Sequence, residues 1–260
     1  MPPEGNRGLV RDLALLEVLA QAAAEGELRL TEVAHRSGRE KSQISRALHR
    51  LAGEGLVQQV NGRGWRLGWK LYALAAQSTE AGLVTAARPA MRQLVAAVHE
   101  TVHLCILRGS QLLTVHSETA EHGYRGAGWA GVPMPAHAGS AGRVLLAELE
   151  PGVIESLYPP GTGLAGALPA SRLQTAGDLY AELERIRRRG AAVVREELEP
   201  GLVGASATVR DFRGAIASLN VAAPTTRLAE RLEDVADRLI LTAATISGLL
   251  GGSPSPASPR

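Results

Sequence analysis

Apolar residues recur along this chain at a helical period first and at an alternating, strand-like period later. In "LALLEVLAQAAAEG", Leu13, Leu16 and Leu19, with Leu15, form the stripe of a first helix that Gly26 ends. "LTEVAHRSG" predicts a short second helix with Thr31 as N-cap, Val33 and Ala34 facing inward and Gly38 in the closing turn. Ser42 then caps a third helix running to about Ala52. On it Ile44, Leu48 and Leu51 fall at i, i+4 and i+7 with Ala47 on the same side. The opposite face carries Ser42, Gln43, Ser45, Arg46, His49 and Arg50, and Gly53 and Gly55 stop the helix. "LVQQV" and "WRL" flank "NGRG", a hairpin signal because a tight turn needs positive φ at Asn-Gly. Three helices followed by a two-stranded wing make a winged helix-turn-helix.

"KLYALAAQSTEAGLVTAARPAMRQLVAAVHE" is mostly helical, punctuated by Gly82 and Pro89. "TVHLCILRG" and "QLLTVHSE" predict a hairpin around Gly109-Ser110, and "GSAGRVLLAEL" opens a helix. "AGDLYAELERIRRRG" is another helix, ended by Gly190. "AAVVREE", "VGASATVRD" and "AIASLNVAA" alternate as strands, the last two joined by "FRG". "TTRLAERLEDVADRLILTAATISGLL" reads as one long closing helix, with Leu228, Leu232, Val235 and Leu239 as its core stripe. The class is α+β: a winged helix-turn-helix, then an α+β domain with a mostly antiparallel sheet. The expected boundaries are a flexible start at 1–8, a winged helix-turn-helix domain at 9–68, a linker helix at 69–84, a second domain at 85–250 and a disordered tail at 251–260.

The 260 residues suit one large or two modest domains, and aromatics at 3% leave the core to Ala, Val and Leu. A single cysteine, Cys105, excludes an internal disulfide. Arg11, Asp12 and Glu17 break the first apolar run, which does not suit a secretory signal. "LILTAATISGLLGG" is too short for a bilayer, which takes about 20 residues. These features point to a cytoplasmic protein with no membrane partner. Charge is uneven: residues 36–70 hold eight Lys and Arg against two Glu, although the whole chain is only +2. A patch so concentrated fits a polyanion.

A recognition helix buries one side on its own domain and offers short polar and Arg side chains to the major groove. Gln43 and Arg46 suit adenine and guanine edges, while Ser42, Ser45 and Arg50 suit phosphates. His49 suits either, and Arg63 at the wing tip is placed for backbone or minor groove. Thr31 and Lys41 flank this set and join the candidate DNA-binding residues.

"LTEVAHRSGREKSQISRALHRLAGEGLVQQVNGRGWRLG" resembles the DNA-binding half of the IclR family of bacterial transcriptional regulators. "ETVHLCIL", "PMPAHAGSAGRVLLAEL" and "IRRRGAAVVREELEPGLVGASATVRDFRGAIASLNVAAPTTRL" resemble its effector-binding half in order and spacing, so the likeness covers about residues 9 to 250. The resemblance implies a GAF-like second domain that senses a small molecule, and a homodimer or dimer of dimers on a palindromic double-stranded DNA operator, more often as a repressor. It also implies a ligand pocket built from a helix start, here Gly139, Ser140 and Ala141, and from sheet positions, here Val194, Gly204, Asn220 and Ala222. Free amides at a helix start suit an anion. Of the sheet positions only Asn220 hydrogen-bonds where the family has Asp, Cys and two Ser. The expected ligand is therefore larger or more apolar than glyoxylate, or absent. No cofactor and no catalysis are expected.

Other chemistry fares worse. "AGSAG" loosely fits a nucleophile elbow at Ser140, but no histidine follows it to complete that triad order. His99 and His103 are four apart, a metal spacing on one continuous helix, yet "HETVH" straddles a helix end and a strand start. With His116, His122 and His137 they read as surface or loop residues. Cys105 reads as core. Arg185, Arg187, Arg188 and Arg189 read as a solvated helix end matched to the dipole. The competing reading is a metabolite-binding or enzymatic domain whose winged helix makes protein contacts.

Overall fold

A computed structural model describes residues 6–22, 26–76, 79–120, 131–166 and 171–252. It divides into two compact units, Met1–Ala81 and Gly82–Arg260. Residues 1–5 of the expected flexible start, residues 253–260 of the expected tail and His122 lie outside the described residues. Residues 6–8 instead already belong to the first helix, and the Gly251 and Gly252 amides bond back to the Gly248 and Ser247 carbonyls at 3.3 and 2.8 Å.

In the first unit, α1 (Asn6–Gln21), α2 (Leu30–Ser37) and α3 (Lys41–Gly53) pack over a small sheet of β1 (Leu28–Arg29), β2 (Val57–Val60) and β3 (Gly64–Leu67). The sheet order is β1-β3-β2, all antiparallel. β1 extends the expected two-stranded wing to three; a two-residue strand has no legible alternation. The core joins Leu15 and Leu19 of α1, and Ala22 just after it, to Val33, Ile44, Leu48, Val57 and Trp65. The buried stripe of α1 is thus Leu15 and Leu19, continued by Ala22 beyond its end, while Leu13 is 48% exposed. α1 ends at Gln21, ahead of Gly26, and residues 23–25 lie outside the description.

Both expected N-caps move. Arg29 precedes α2, its amide donating to Glu32 Oε2 at 2.7 Å, so Thr31 sits inside the first turn. Glu40 precedes α3, its carbonyl receiving the Gln43 and Ile44 amides at 3.0 and 3.1 Å, so Ser42 is the second helical residue. Gly38 closes α2 at φ 63. The wing turn forms as expected: Asn61 and Gly62 have φ 49 and 70, and the Arg63 amide donates to the Val60 carbonyl at 3.0 Å. The linker is two helices, α4 (Trp69–Ala76) and α5 (Thr79–Val98), rather than one. α5 runs through Pro89, which lies at an exposed position.

The second unit is a six-stranded antiparallel sheet with helices on both faces. Its strands are β4 (Val102–Arg108), β5 (Gln111–Glu118), β6 (Met134–Pro135), β7 (Ala191–Arg195), β8 (Leu202–Asp211) and β9 (Gly214–Pro224), in the order β6-β5-β4-β9-β8-β7. Side chains alternate across a strand. Val203, Ala205, Ala207 and Val209 of β8 and Ala217, Leu219 and Val221 of β9 therefore join one aliphatic core with α5 and α10 (Leu232–Leu249). The intervening Gly204, Ser206, Thr208, Ser218 and Asn220 face the other way, toward α6 (Ser140–Leu146). There α7 (Pro151–Leu157) and α8 (Ala176–Arg189) complete a second core. The closing helix is broken into α9 (Thr225–Leu228), a 3-10 turn (Ala229–Arg231) and α10, though Leu228, Leu232, Val235 and Leu239 are all buried.

His99 and His103 diverge. His99 is exposed at φ 58 after the end of α5, whereas His103 is buried in β4 with Nδ1 2.8 Å from Ser117 Oγ. Burial pushes the His103 imidazole down to about 4 from 6.5. The unfolded chain thus takes up a proton that the native state refuses. Stability from this group is complete above about pH 6.5 and is lost as pH falls through 4, by roughly 3 kcal/mol in all. Urea midpoints at pH 7.5, 5.5 and 4.5 should fall in that order, and more shallowly in His103→Gln. Equal slopes would show that another group sets the acid limit.

Candidate DNA-reading face and effector pocket

In the first unit, α3 buries Ile44, Ala47, Leu48 and Leu51 and so turns its other side outward. Lys41, Ser42, Gln43 and Arg46 are exposed along that side and Ser45 is half-buried. Glu40 supplies no side-chain cap, which leaves the first amides of this 13-residue helix open to an anion. Arg63 is exposed at the wing tip and Thr31 on the first turn of α2.

Two expected DNA residues are engaged elsewhere. Arg50 Nη2 donates to Asp12 of α1 at 2.9 Å. The His49 ring meets the Trp65 ring edge-on at 5.2 Å, with Nδ1 2.7 Å from the Ser45 carbonyl. Both sit late on α3, where the helix passes α1 and the wing. Arg39, part of the basic run, donates to the Arg11 carbonyl at 3.1 Å. His49 and Arg50 nonetheless stay exposed.

In the second unit, all seven expected ligand residues line one pocket: Gly139, Ser140 and Ala141 of the α6 start with Val194, Gly204, Asn220 and Ala222 of the sheet. The sequence reading missed Cys105, Thr114, Met134, Leu198 and Leu202, which also line it. Its open space is only about 40 Å³. Below the pocket is a buried polar knot. Ser206 Oγ donates to Ser140 Oγ at 2.9 Å, and Asn220 Nδ2 reaches Ser140 Oγ at 3.0 Å and Ser206 Oγ at 2.9 Å. The Asn220 amide is thus satisfied internally, and Ser206 shares the polar role assigned to Asn220 alone. The alternation of "VGASATVRD" puts Ser206 on the Gly204 face and could have revealed it. Seven residues of α6 also add little dipole to its free amides.

Cys105 is buried, its thiol 3.5 Å from Thr114 Oγ1 and pushed up to about 11 by burial. That disfavours a thiolate. Among the described residues no group of three or more His, Cys, Asp or Glu is placed to hold a metal ion. No helix among them is long and apolar enough to cross a membrane.

Beside the pocket, Arg143 of α6 is fully buried. Its Nε donates to the His137 carbonyl at 2.7 Å and its Nη2 to Glu197 Oε2 at 2.9 Å. Glu197 also accepts from Ser171 Oγ at 3.2 Å and Arg172 Nε at 2.9 Å. Burial raises the Glu197 carboxyl, but Arg143 and Arg172 outweigh it and hold the group below the usual range. No sequence signal marked this network.

The comparisons with known proteins agree for both units. The family model described as IclR helix-turn-helix domain matches residues 8–61, and that described as Bacterial transcriptional regulator IclR C-terminal matches residues 75–248. The chain is 29% identical over 250 residues to the HTH-type transcriptional regulator Rv1719 of Mycobacterium tuberculosis, covering 96% of this chain and 94% of that protein. It is 30% identical over 255 residues to the HTH-type transcriptional regulator BhcR of Paracoccus denitrificans, covering 94% and 87%. The crystal structure of an IclR homolog from Microbacterium hydrocarbonoxydans shares the fold, with a TM-score of 0.68 at 21% identity over 94% of this chain and 98% of that one. A winged helix-turn-helix with an open reading face and a sheet-and-helix unit with a closed pocket thus stand in one chain that belongs to the IclR family of DNA-binding bacterial transcriptional regulators.

Proposed function

We propose that the chain is a repressor that reads a palindromic operator with the N-terminal half of α3 and releases or grips it in response to a small effector. The observation that carries this reading is the outward row of Lys41, Ser42, Gln43 and Arg46 above a helix start with open amides. Gln43 and Arg46 address base edges; Thr31, Lys41, Ser42, Ser45 and Arg63 position the backbone. His49 and Arg50, engaged with Trp65 and Asp12, brace α3 against its own unit. One winged helix covers half a site, so the working species is a homodimer or dimer of dimers with half-sites spaced by helical turns.

The effector enters among Met134, Leu198 and Leu202, which must move because about 40 Å³ holds little more than water. A mostly apolar lining with the Ser140 hydroxyl at its base suits a ligand with an apolar body and one hydrogen-bonding end. The Microbacterium protein was crystallised with 4-hydroxybenzoate, a molecule of that kind. Such a ligand acts only by binding one arrangement of the paired winged helices better than another.

Fluorescence anisotropy on the duplex upstream of the protein's own gene, beside a scrambled duplex and at two salt concentrations, tests the DNA reading. Tight binding to the first alone, weakening steeply with salt, is expected. Arg46→Ala should cost about 1–3 kcal/mol of discrimination. Unchanged discrimination would remove Arg46 from the base edges. Calorimetry with glyoxylate and 4-hydroxybenzoate tests the pocket, and tighter glyoxylate binding would overturn the apolar reading.

A further inference from the structure

α8 ends in the run Arg185, Arg187, Arg188 and Arg189, and matching the helix dipole explains cations at that end. It does not explain why cations from other segments join only two of them. Arg185 and Arg189, one turn apart, share a groove with Arg172 from the loop before α8 and Arg195 from the end of β7. Arg187 turns away, its Nε donating to the Ala147 carbonyl at 2.7 Å.

The groove holds about 520 Å³, within the ordinary range for small-molecule sites, and Ile186 and Val193 give it an apolar floor. It exists because β7 is the outermost strand of the sheet beside α8. Only Glu182 and Glu197 line it with the four arginines. Their carboxylates are shared: Glu182 serves Arg185 and Arg172, and Glu197 serves Arg172 and the buried Arg143. Arg189 and Arg195 both lean on Glu233, itself 56% exposed. Five guanidinium groups thus rest on three carboxylates, and low-dielectric walls strengthen the field of the excess. The exposed pairs with Glu233 hold weakly, so a competing anion can take their place.

We propose that this groove is a second small-molecule site, distinct from the effector pocket, for a compact polyanion bearing either two or more carboxylates or phosphate. Arg189 and Arg195 take its charge, with Arg172 and Arg185 lining the same groove. The site borders the effector pocket through the chain itself. Glu197 lines the groove and the next residue, Leu198, lines the pocket. An anion that draws Arg172 from Glu197 therefore acts on the wall the effector must move.

Calorimetry of the full chain with inorganic pyrophosphate and with citrate, at about 0.15 M salt where exposed charges are screened beyond roughly 8 Å, tests this. Saturable one-site binding of at least one probe is expected, and which one binds identifies phosphate or carboxylate. Arg189→Gln and Arg195→Gln should each weaken it at least ten-fold. Arg188→Gln removes the same charge from the same helix end outside the groove and should change it less than two-fold. Binding of neither probe, or equal losses in Arg188→Gln, would overturn the proposal. So would loss in Arg46→Ala, which would place the anion on the DNA-reading helix; that outcome leaves the operator reading intact.

Discussion

Arg143→Met is expected to destabilise the C-terminal unit by about 3–5 kcal/mol, the cost of breaking a buried ion pair from one side. Methionine fills much of the volume but abandons the His137 carbonyl and Glu197. Glu197, 3% exposed, then keeps Arg172, whose side chain is 56% exposed, as its cation. The pH dependence should change sign. In the parent chain Glu197 is held below its usual range, so its contribution is complete above about pH 4.3 and is lost as pH falls through its depressed native value. Without Arg143, burial is expected to dominate and raise the carboxyl; the native state then favours the protonated form, and stability falls as pH rises. Urea denaturation followed by far-ultraviolet circular dichroism at pH 7 and pH 4 should show a larger defect at pH 7. Arg143→Met combined with Glu197→Gln should recover part of the loss at pH 7. A defect equal at both values, with no recovery, would mean that packing alone and not charge holds this corner.

Gly68→Ala is expected to unfold the N-terminal unit, at a cost of about 3 kcal/mol or more. A Cβ at Gly68 would stand 2.1 Å from the Gly55 carbonyl oxygen and 2.8 Å from the carbonyl carbons of Gly55 and Leu56. Those are backbone atoms and cannot swing aside as a side chain can. The close approach is where β3 leaves the sheet: the Gly68 amide donates to the Leu56 carbonyl at 2.8 Å, tying the wing's end to the turn after α3. A unit of this size buries too little surface to absorb such a shift. Operator binding should vanish while the second unit still melts cooperatively. Gly53→Ala, where a Cβ meets nothing within 4 Å and φ is not positive, should be neutral or slightly stabilising. Wild-type operator affinity in Gly68→Ala would show that the wing moves freely from α3.

Much of the fold was legible because its signals are local. The i, i+4, i+7 spacing of Ile44, Leu48 and Leu51 placed α3, and Asn61-Gly62 placed the wing turn. The alternation in β8 and β9, which sets an aliphatic face against a small polar one, is as local a signal, although only the strands themselves were read from it. The caps were misread because Thr31 and Ser42 have the right chemistry two residues too late, and the backbone at Arg29 and Glu40 turns first. Leu13 was misread because α1 meets the core along Leu15 and Leu19; several leucines in a row leave the phase of the stripe open. The break after Leu228 carries no glycine or proline to announce it.

The candidate sites divide in the same way. By itself the sequence named the candidates for each site: the outward row of α3, and the seven positions that line one pocket. Phase along α3 picks out the first, and phase is set by neighbours a few residues away; the second came from the resemblance to the family. Only the tertiary structure decided which of those groups remain available. Asn220 Nδ2 is taken by Ser206 and Ser140, 14 and 80 residues earlier; Arg50 pairs with Asp12, 38 residues earlier; Arg143 is taken by Glu197, 54 residues later. A hydrogen bond or ion pair needs two atoms about 3 Å apart. No local pattern encodes that distance when the partners lie on different elements, so availability is a property of packing rather than of composition or period.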